Sequence, residues 1–178
     1  IANPNCSTIQ MLVALNAIHD AVTIRRIDVA TYQSVSGAGN KAIQELASQT
    51  AALLSGQEAG VEILPQQIAF NILPHIGDLQ DDGYTSEEMK MHDETRKIWQ
   101  DNHIVVNATA VRVPVFYGHS EAIHIETENN ITIDEATDLL RNTSGVEFLE
   151  QGEYPTAITH AASNDNVFVG RLRKSLGR

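Results

Sequence analysis

Asn3-Pro4-Asn5-Cys6-Ser7-Thr8-Ile9-Gln10 opens the chain and holds its only cysteine. Ser7 and Gln10 have the spacing of a capping box, in which a serine and a glutamine three residues on satisfy each other's free backbone groups. Apolar Ile9, Leu12, Val13 and Ala17 follow at helical spacing, so a helix is expected over residues 7–19. Cys6 then stands at the mouth of that helix, where free N–H groups and the macrodipole favour an anion. A thiol there is expected to lose its proton more readily and to be a better nucleophile. The alternative is a small buried cysteine that happens to precede a helix, and a lone cysteine does not choose between the two.

Working outward, residues 23–33 are rich in β-branched side chains and read as a strand ending at Gln33. The small-residue turn Ser34-Val35-Ser36-Gly37-Ala38-Gly39-Asn40 follows. A long helix then carries Ala42, Ile43, Leu46, Ala47, Thr50, Leu53 and Leu54 on one stripe and stops near Ser55-Gly56. A strand, a turn with two glycines and a helix can cradle a phosphate on backbone N–H groups. Such glycines serve equally as plain turn residues.

Residues 56–84 are irregular, with one brief apolar strand expected over 68–74. A connection of this length is usually functional or an interface element. Thr85 and Glu88 form a second capping box, opening a helix through Met89, Lys90, His92, Arg96, Ile98 and Trp99. Glu87 and Lys90 share a face of it, as a solvated ion pair in the plainest reading.

Two strands are expected over 104–113 and 119–127, around a turn bracketed by Pro114 and Gly118. Arg112 follows small Ala108 and Ala110 on one face, which leaves its guanidinium room to grip a carboxylate. His119 stands at a loop mouth, where catalytic groups often sit; a turn histidine bonded to backbone is the alternative. His119, Glu121, His124 and Glu126 make a poor zinc set, because neighbouring strand residues point to opposite faces. Thr132 and Glu135 cap a short helix through Leu139-Leu140, and residues 167–173 alternate as a strand. The expected fold is α+β: a mixed or antiparallel sheet with helices packed on one face, and the other face or an edge meeting a second copy.

At 178 residues the chain can bury one full core, and 42% apolar with 20% charged residues is ordinary for a globular domain. A net charge of −11 argues against nucleic acid. No membrane span or signal peptide is expected, and one cysteine fits a reducing cytoplasm. Asn-x-Ser/Thr triplets at Asn5, Asn107, Asn130 and Asn142 are discounted as glycosylation sites, Asn107 because it falls in a strand expected to be buried. The start at Ile1 without Met, with a helix almost at once, reads as a fragment of a longer protein.

Asn3-Pro4-Asn5-Cys6-Ser7-Thr8 resembles the nucleophile motif of the aspartate-semialdehyde dehydrogenases. Segments 32–40, 83–91, 110–120 and 167–174 are similar to that family in the same order. The resemblance implies a single catalytic and dimerisation domain over 1–178, similar to the C-terminal domain of glyceraldehyde-3-phosphate dehydrogenase-like enzymes, with the nucleotide-binding domain absent. It implies NADPH-dependent reductive dephosphorylation of β-aspartyl phosphate to aspartate β-semialdehyde through a cysteine thioester, in lysine, threonine and methionine biosynthesis. The implied roles are Cys6 as nucleophile, His119 as acid and base, and Gln33 as orienting group. Arg112 would hold the substrate carboxylate, Glu87 its ammonium, Asn5 and Lys90 phosphate, and Ser36 and Gly37 the NADP. A homodimer without metal is implied. Alternatives are an N-acetyl-glutamyl-phosphate reductase-like enzyme, which needs no carboxylate at 87, a non-catalytic paralogue, and a cysteine hydrolase using Cys6 and His119.

Overall fold

The computed structural model describes residues 2–176. Helix α1 spans Cys6–Val22 and strand β1 spans Ile24–Gln33. A 3-10 turn, Val35–Ala38, leads to α2, Asn40–Leu54. After the irregular stretch come α3 (Ser86–Trp99), β2 (Val105–Arg112), β3 (Ser120–Thr127) and α4 (Ile133–Arg141). A small parallel pair, β4 (Val146–Phe148) and β5 (Val167–Val169), is separated by a π-helical turn at Ala157–Ala161.

The main sheet is mixed, in the order β2-β1-β3. β2 runs parallel to β1, with Gln33 opposite Arg112, and β3 runs antiparallel to it, with Tyr32 opposite Ser120. The two strands that flank residues 113–119 are therefore not neighbours. That loop passes over the end of β1, and Val35 N–H and Ser36 N–H donate to the carbonyls of Val115 and Phe116 beneath it.

Period-two alternation sends Ile27, Val29, Thr31 and Gln33 of β1 inward, and a register shift between Ile24 and Arg26 brings Ile24 to the same side. There they meet Met11, Leu12, Leu15 and Ile18 of α1 and Met91 of α3; Ala136 and Leu140 of α4 extend the same core. The opposite face of the sheet is open. Tyr32 and Val105 are exposed on it, beside Arg26, which donates to Asp28, and Asn107, which also donates to Asp28. Asn107 is thus on the exposed side of β2 and not buried as expected.

α2 stands apart from the sheet and builds a second core with Val35, Ile68, Ala69 and Leu73. Two buried polar side chains of α2 hold the long connection. Glu45 accepts from the amides of Glu62, Ile63 and Leu64, and Gln49 accepts from those of Ile68 and Ala69. These bonds take the place of a strand over 68–74: only Leu73 pairs, with Arg112, as an isolated bridge. The strand expected over 167–173 ends at Val169, two residues before Arg171 turns to positive φ.

The capping of α1 differs from the sequence reading. Asn5, not Ser7, caps the helix, its Oδ1 accepting from Ser7 N–H at 3.0 Å and Thr8 N–H at 3.3 Å. Ser7 and Gln10 are drawn to tertiary partners instead, Gln33 and Glu121. Helices α3 and α4 both carry the capping boxes read from Thr85–Glu88 and Thr132–Glu135. Among the described residues no helix is long and apolar enough to cross a membrane.

Candidate active site

The site forms where β1 and β2 end, β3 begins and α1 starts. Cys6 is the first residue of α1 and is exposed. Its thiol is nevertheless pushed above its ordinary value, by burial first and by the Glu87 carboxylate second. The Ser7 amide and hydroxyl and the Cys6 amide favour the thiolate but do not outweigh these. This corrects the expectation of a readily ionised thiol: the helix end helps, but desolvation and a neighbouring anion win.

Gln33, the last residue of β1, is buried. It donates through Nε2 to Ser7 Oγ at 2.9 Å and to Thr31 Oγ1 at 3.3 Å, tying the central strand to the first turn of α1. Arg112, 6% exposed at the end of β2, donates from Nη1 to the Ser34 carbonyl at 2.8 Å. Burial holds its guanidinium below the ordinary arginine range, against the opposing charges of Glu87 and Cys6. The side-chain room that Ala108 and Ala110 provide is inward, as the alternation required.

His119 precedes β3. Its Nδ1 accepts the Ser34 amide N–H at 3.1 Å, with Ser34 Oγ at the same distance. An amide can only donate, so Nδ1 carries no hydrogen and Nε2 does when the ring is neutral. Burial, and secondarily the Arg112 charge, lower the imidazole below its ordinary value, partly offset by Glu87. No hydrogen bond joins His119 to Cys6 here; the backbone-bonded reading of the histidine holds at Nδ1, leaving Nε2 for chemistry.

Glu87 lies in the first turn of α3, buried, and its charge is felt by Cys6, Arg112 and His119 alike. Lys90, one turn on, is exposed, and among the described residues its side chain has no hydrogen-bond or ion-pair partner. Asn5 spends its Oδ1 on the helix cap, which leaves its Nδ2 to meet a ligand. Ser36 and Gly37 sit in the 3-10 turn after β1. A Cβ on Gly37 would lie 3.1 Å from Arg112 Nη1 and 3.3 Å from His119 Nε2. The missing side chain keeps that approach open, as a flat ligand laid against both groups requires.

Cys6, Gln33, Glu87, Arg112 and His119 are thus brought together, with Gly37 between the last two; Lys90 stands outside. The residue that the sequence reading missed is Ser34. Its amide, hydroxyl and carbonyl hold both His119 and Arg112, yet one serine in a small-residue turn carries no signal of this. Among the described residues no three His, Cys, Asp or Glu side chains converge as a metal cage.

Residues 15–178 match the family model described as semialdehyde dehydrogenase, dimerisation domain, and the chain belongs to that family. It is 60% identical over 179 residues to the aspartate-semialdehyde dehydrogenase of Legionella pneumophila, covering 99% of this chain and 52% of that protein. It is 47% identical to the Bacillus subtilis enzyme of the same name, over 54% of that protein's length. A crystal structure of aspartate semialdehyde dehydrogenase II from Vibrio cholerae, complexed with ASA, superposes with a TM-score of 0.99 at 54% identity, covering all of this chain and 53% of that one. The chain spans about half the length of the curated relatives it matches.

Proposed function

We propose that this chain is the thiol-bearing half of an aspartate-semialdehyde dehydrogenase. The whole enzyme would convert β-aspartyl phosphate to aspartate β-semialdehyde with NADPH, in the cytoplasm, within the biosynthesis of lysine, threonine and methionine. The observation that carries this is the meeting of Cys6, Glu87, Arg112 and His119 at one sheet end, a thiol among groups suited to an amino acid's two charges.

Arg112 binds the substrate α-carboxylate through the guanidinium face not used by Ser34, and Glu87 pairs with the ammonium. Asn5 Nδ2 meets the phosphate, and Lys90, exposed outside the cluster one turn beyond Glu87, reaches in to it on its long flexible stem. Cys6 attacks the acyl carbon as thiolate; the C–O bond to phosphate breaks, and inorganic phosphate leaves a thioester. His119 donates a hydrogen bond from Nε2–H to the acyl oxygen and stabilises the charge that builds there in both steps, while the thiol proton passes to solvent and the oxygen of the reduced carbon takes its proton from solvent. The thiohemiacetal then releases the aldehyde and Cys6 leaves as thiolate. Gln33 fixes the first turn of α1 that carries Cys6. Ser36 and Gly37 would border a bound nicotinamide, which would supply the hydride.

The test is acylation. Incubation with β-aspartyl phosphate, followed by intact-mass measurement, is expected to add one aspartyl group to the parent chain and none to Cys6→Ala. Residues 1–178 alone are not expected to turn over NADPH. Labelling by N-acetyl-glutamyl phosphate in preference to β-aspartyl phosphate would shift the reading to the reductase alternative, which the buried Glu87 disfavours.

The same reading makes the open sheet face, with Tyr32 and Val105, the surface that meets a second copy. Sedimentation equilibrium is expected to show a dimer that Tyr32→Asp weakens.

A further inference from the structure

One largely buried titratable group has no part in the scheme above. Glu121 lies on the inner face of β3, and its Oε1 accepts from Gln10 Nε2 on α1 at 2.7 Å. Its other oxygen, Oε2, is buried without a partner. A leucine there would remove the orphaned oxygen and the cost of burying it. What a carboxyl provides and a leucine does not is the acceptor for Gln10.

The places of the two residues give that bond a meaning. Gln10 is four residues after Cys6 in α1, so the two share a helix face about 6 Å apart along the axis. Glu121 is two residues after His119, on the same side of the chain and roughly 6.6 Å along it. The Gln10–Glu121 bond is therefore the next rung below the Cys6–His119 pair, at a matching spacing on both elements. The Gln33–Ser7 bond ties the same turn of α1 to β1. Two bonds to two strands set both where the helix end sits and how it is turned.

We propose that Gln10 and Glu121 are positioning residues whose hydrogen bond fixes the separation of Cys6 from His119. The inference rests on the reading that these two groups act together. Burial pushes the Glu121 carboxyl up to about 8, with Gln10 the one group opposing it. At neutral pH the rung therefore joins two uncharged groups, and an amide can replace the acid without loss of the acceptor.

The experiment compares Glu121→Gln, Glu121→Leu and Gln10→Ala in the full chain. Three quantities are read: the thermal melt, the rate of Cys6 alkylation by iodoacetamide at neutral pH, and the ring nitrogen NMR shifts of His119. Glu121→Gln is expected to match the parent in alkylation rate and His119 shifts, and to melt above it, because the amide avoids the cost of holding a proton on the carboxyl at neutral pH. Glu121→Leu and Gln10→Ala are expected to melt cooperatively, to change the alkylation rate about tenfold, short of the roughly hundredfold that a misplacement of about 1 Å can cost, and to move the His119 signals. Folded Glu121→Leu and Gln10→Ala chains with both readouts unchanged would overturn the proposal. So would a Glu121→Gln chain as altered as Glu121→Leu. The catalytic reading fails separately, if β-aspartyl phosphate leaves parent Cys6 unlabelled while the rung variants still move both groups.

Discussion

The backbone amide of Ser34 donates to Nδ1 of His119 at 3.1 Å, and so decides which ring nitrogen keeps its hydrogen. With burial and Arg112 lowering the ring below its ordinary value of 6.5, His119 is neutral at pH 7 with its proton on Nε2. Nitrogen-resolved NMR is expected to show that tautomer and a titration midpoint below 6.5. As pH falls through the ordinary value the unfolded chain takes up this proton first, so stability drops on acidification until the folded ring is protonated too. Ser34→Ala keeps the amide and is expected to leave the tautomer unchanged.

Glu87 acts on three groups at once. It raises the Cys6 thiol, and it also raises His119 and Arg112. Glu87→Gln is expected to move the Cys6 and His119 midpoints down together, read by the pH dependence of alkylation and by NMR. Burial, the larger of the two causes that raise the thiol, remains in the variant. A substrate ammonium resting on Glu87 would have the same sign of effect on Cys6.

Gly37 marks the approach to Arg112 and His119. Gly37→Ala places a methyl 3.1 Å from Nη1 and 3.3 Å from Nε2, tighter than ordinary contact. The turn itself tolerates alanine, since Gly37 is exposed and is not among the positive-φ residues. A thermal melt close to the parent is expected, with acylation of Cys6 reduced at least about tenfold, the scale of small misplacements at a reacting centre.

Glu121 makes stability depend on pH in the opposite sense to His119. The unfolded carboxyl ionises near 4.5 while the folded one holds its proton to about 8. Its contribution is full below pH 4.5, is lost as pH rises toward 8, and is level beyond. Urea unfolding at pH 5 and pH 8.5 is expected to differ by a few kcal/mol from this group, a difference that Glu121→Gln abolishes.

Much of this architecture was legible in the sequence for local reasons. β2 and β3 alternate throughout and β1 does so from Ile27 on, and the Thr85–Glu88 and Thr132–Glu135 boxes announce their helices. β4 and β5 were missed or overrun because three residues carry too little alternation to stand out, and the π-helical turn has no period of its own. The Ser7 box failed because tertiary partners outbid a local one: Gln33 takes Ser7, and Glu121 takes Gln10. The acidity of Cys6 was misread for the same kind of reason. The helix end is visible in the sequence; the burial that opposes it comes only with packing, and the Glu87 carboxylate comes from α3, about eighty residues away. Cys6, Gln33, Arg112 and His119 fall at element ends, where sequence reading looks for sites. Ser34 and Glu121 work through bonds that only the strand order β2-β1-β3 makes possible.

That strand order, with one face of the sheet open, ties two surfaces to a single thread of backbone. Gln33 points inward to Ser7, the neighbour of Cys6, and Tyr32, the residue before it, points to the exposed face; Val111 and Arg112 repeat the arrangement on β2. Any body resting on the open face bears on peptide units that also carry the reactive groups. Substitutions chosen to alter the contact there will therefore be felt at the site, and neither surface can drift in sequence independently of the other.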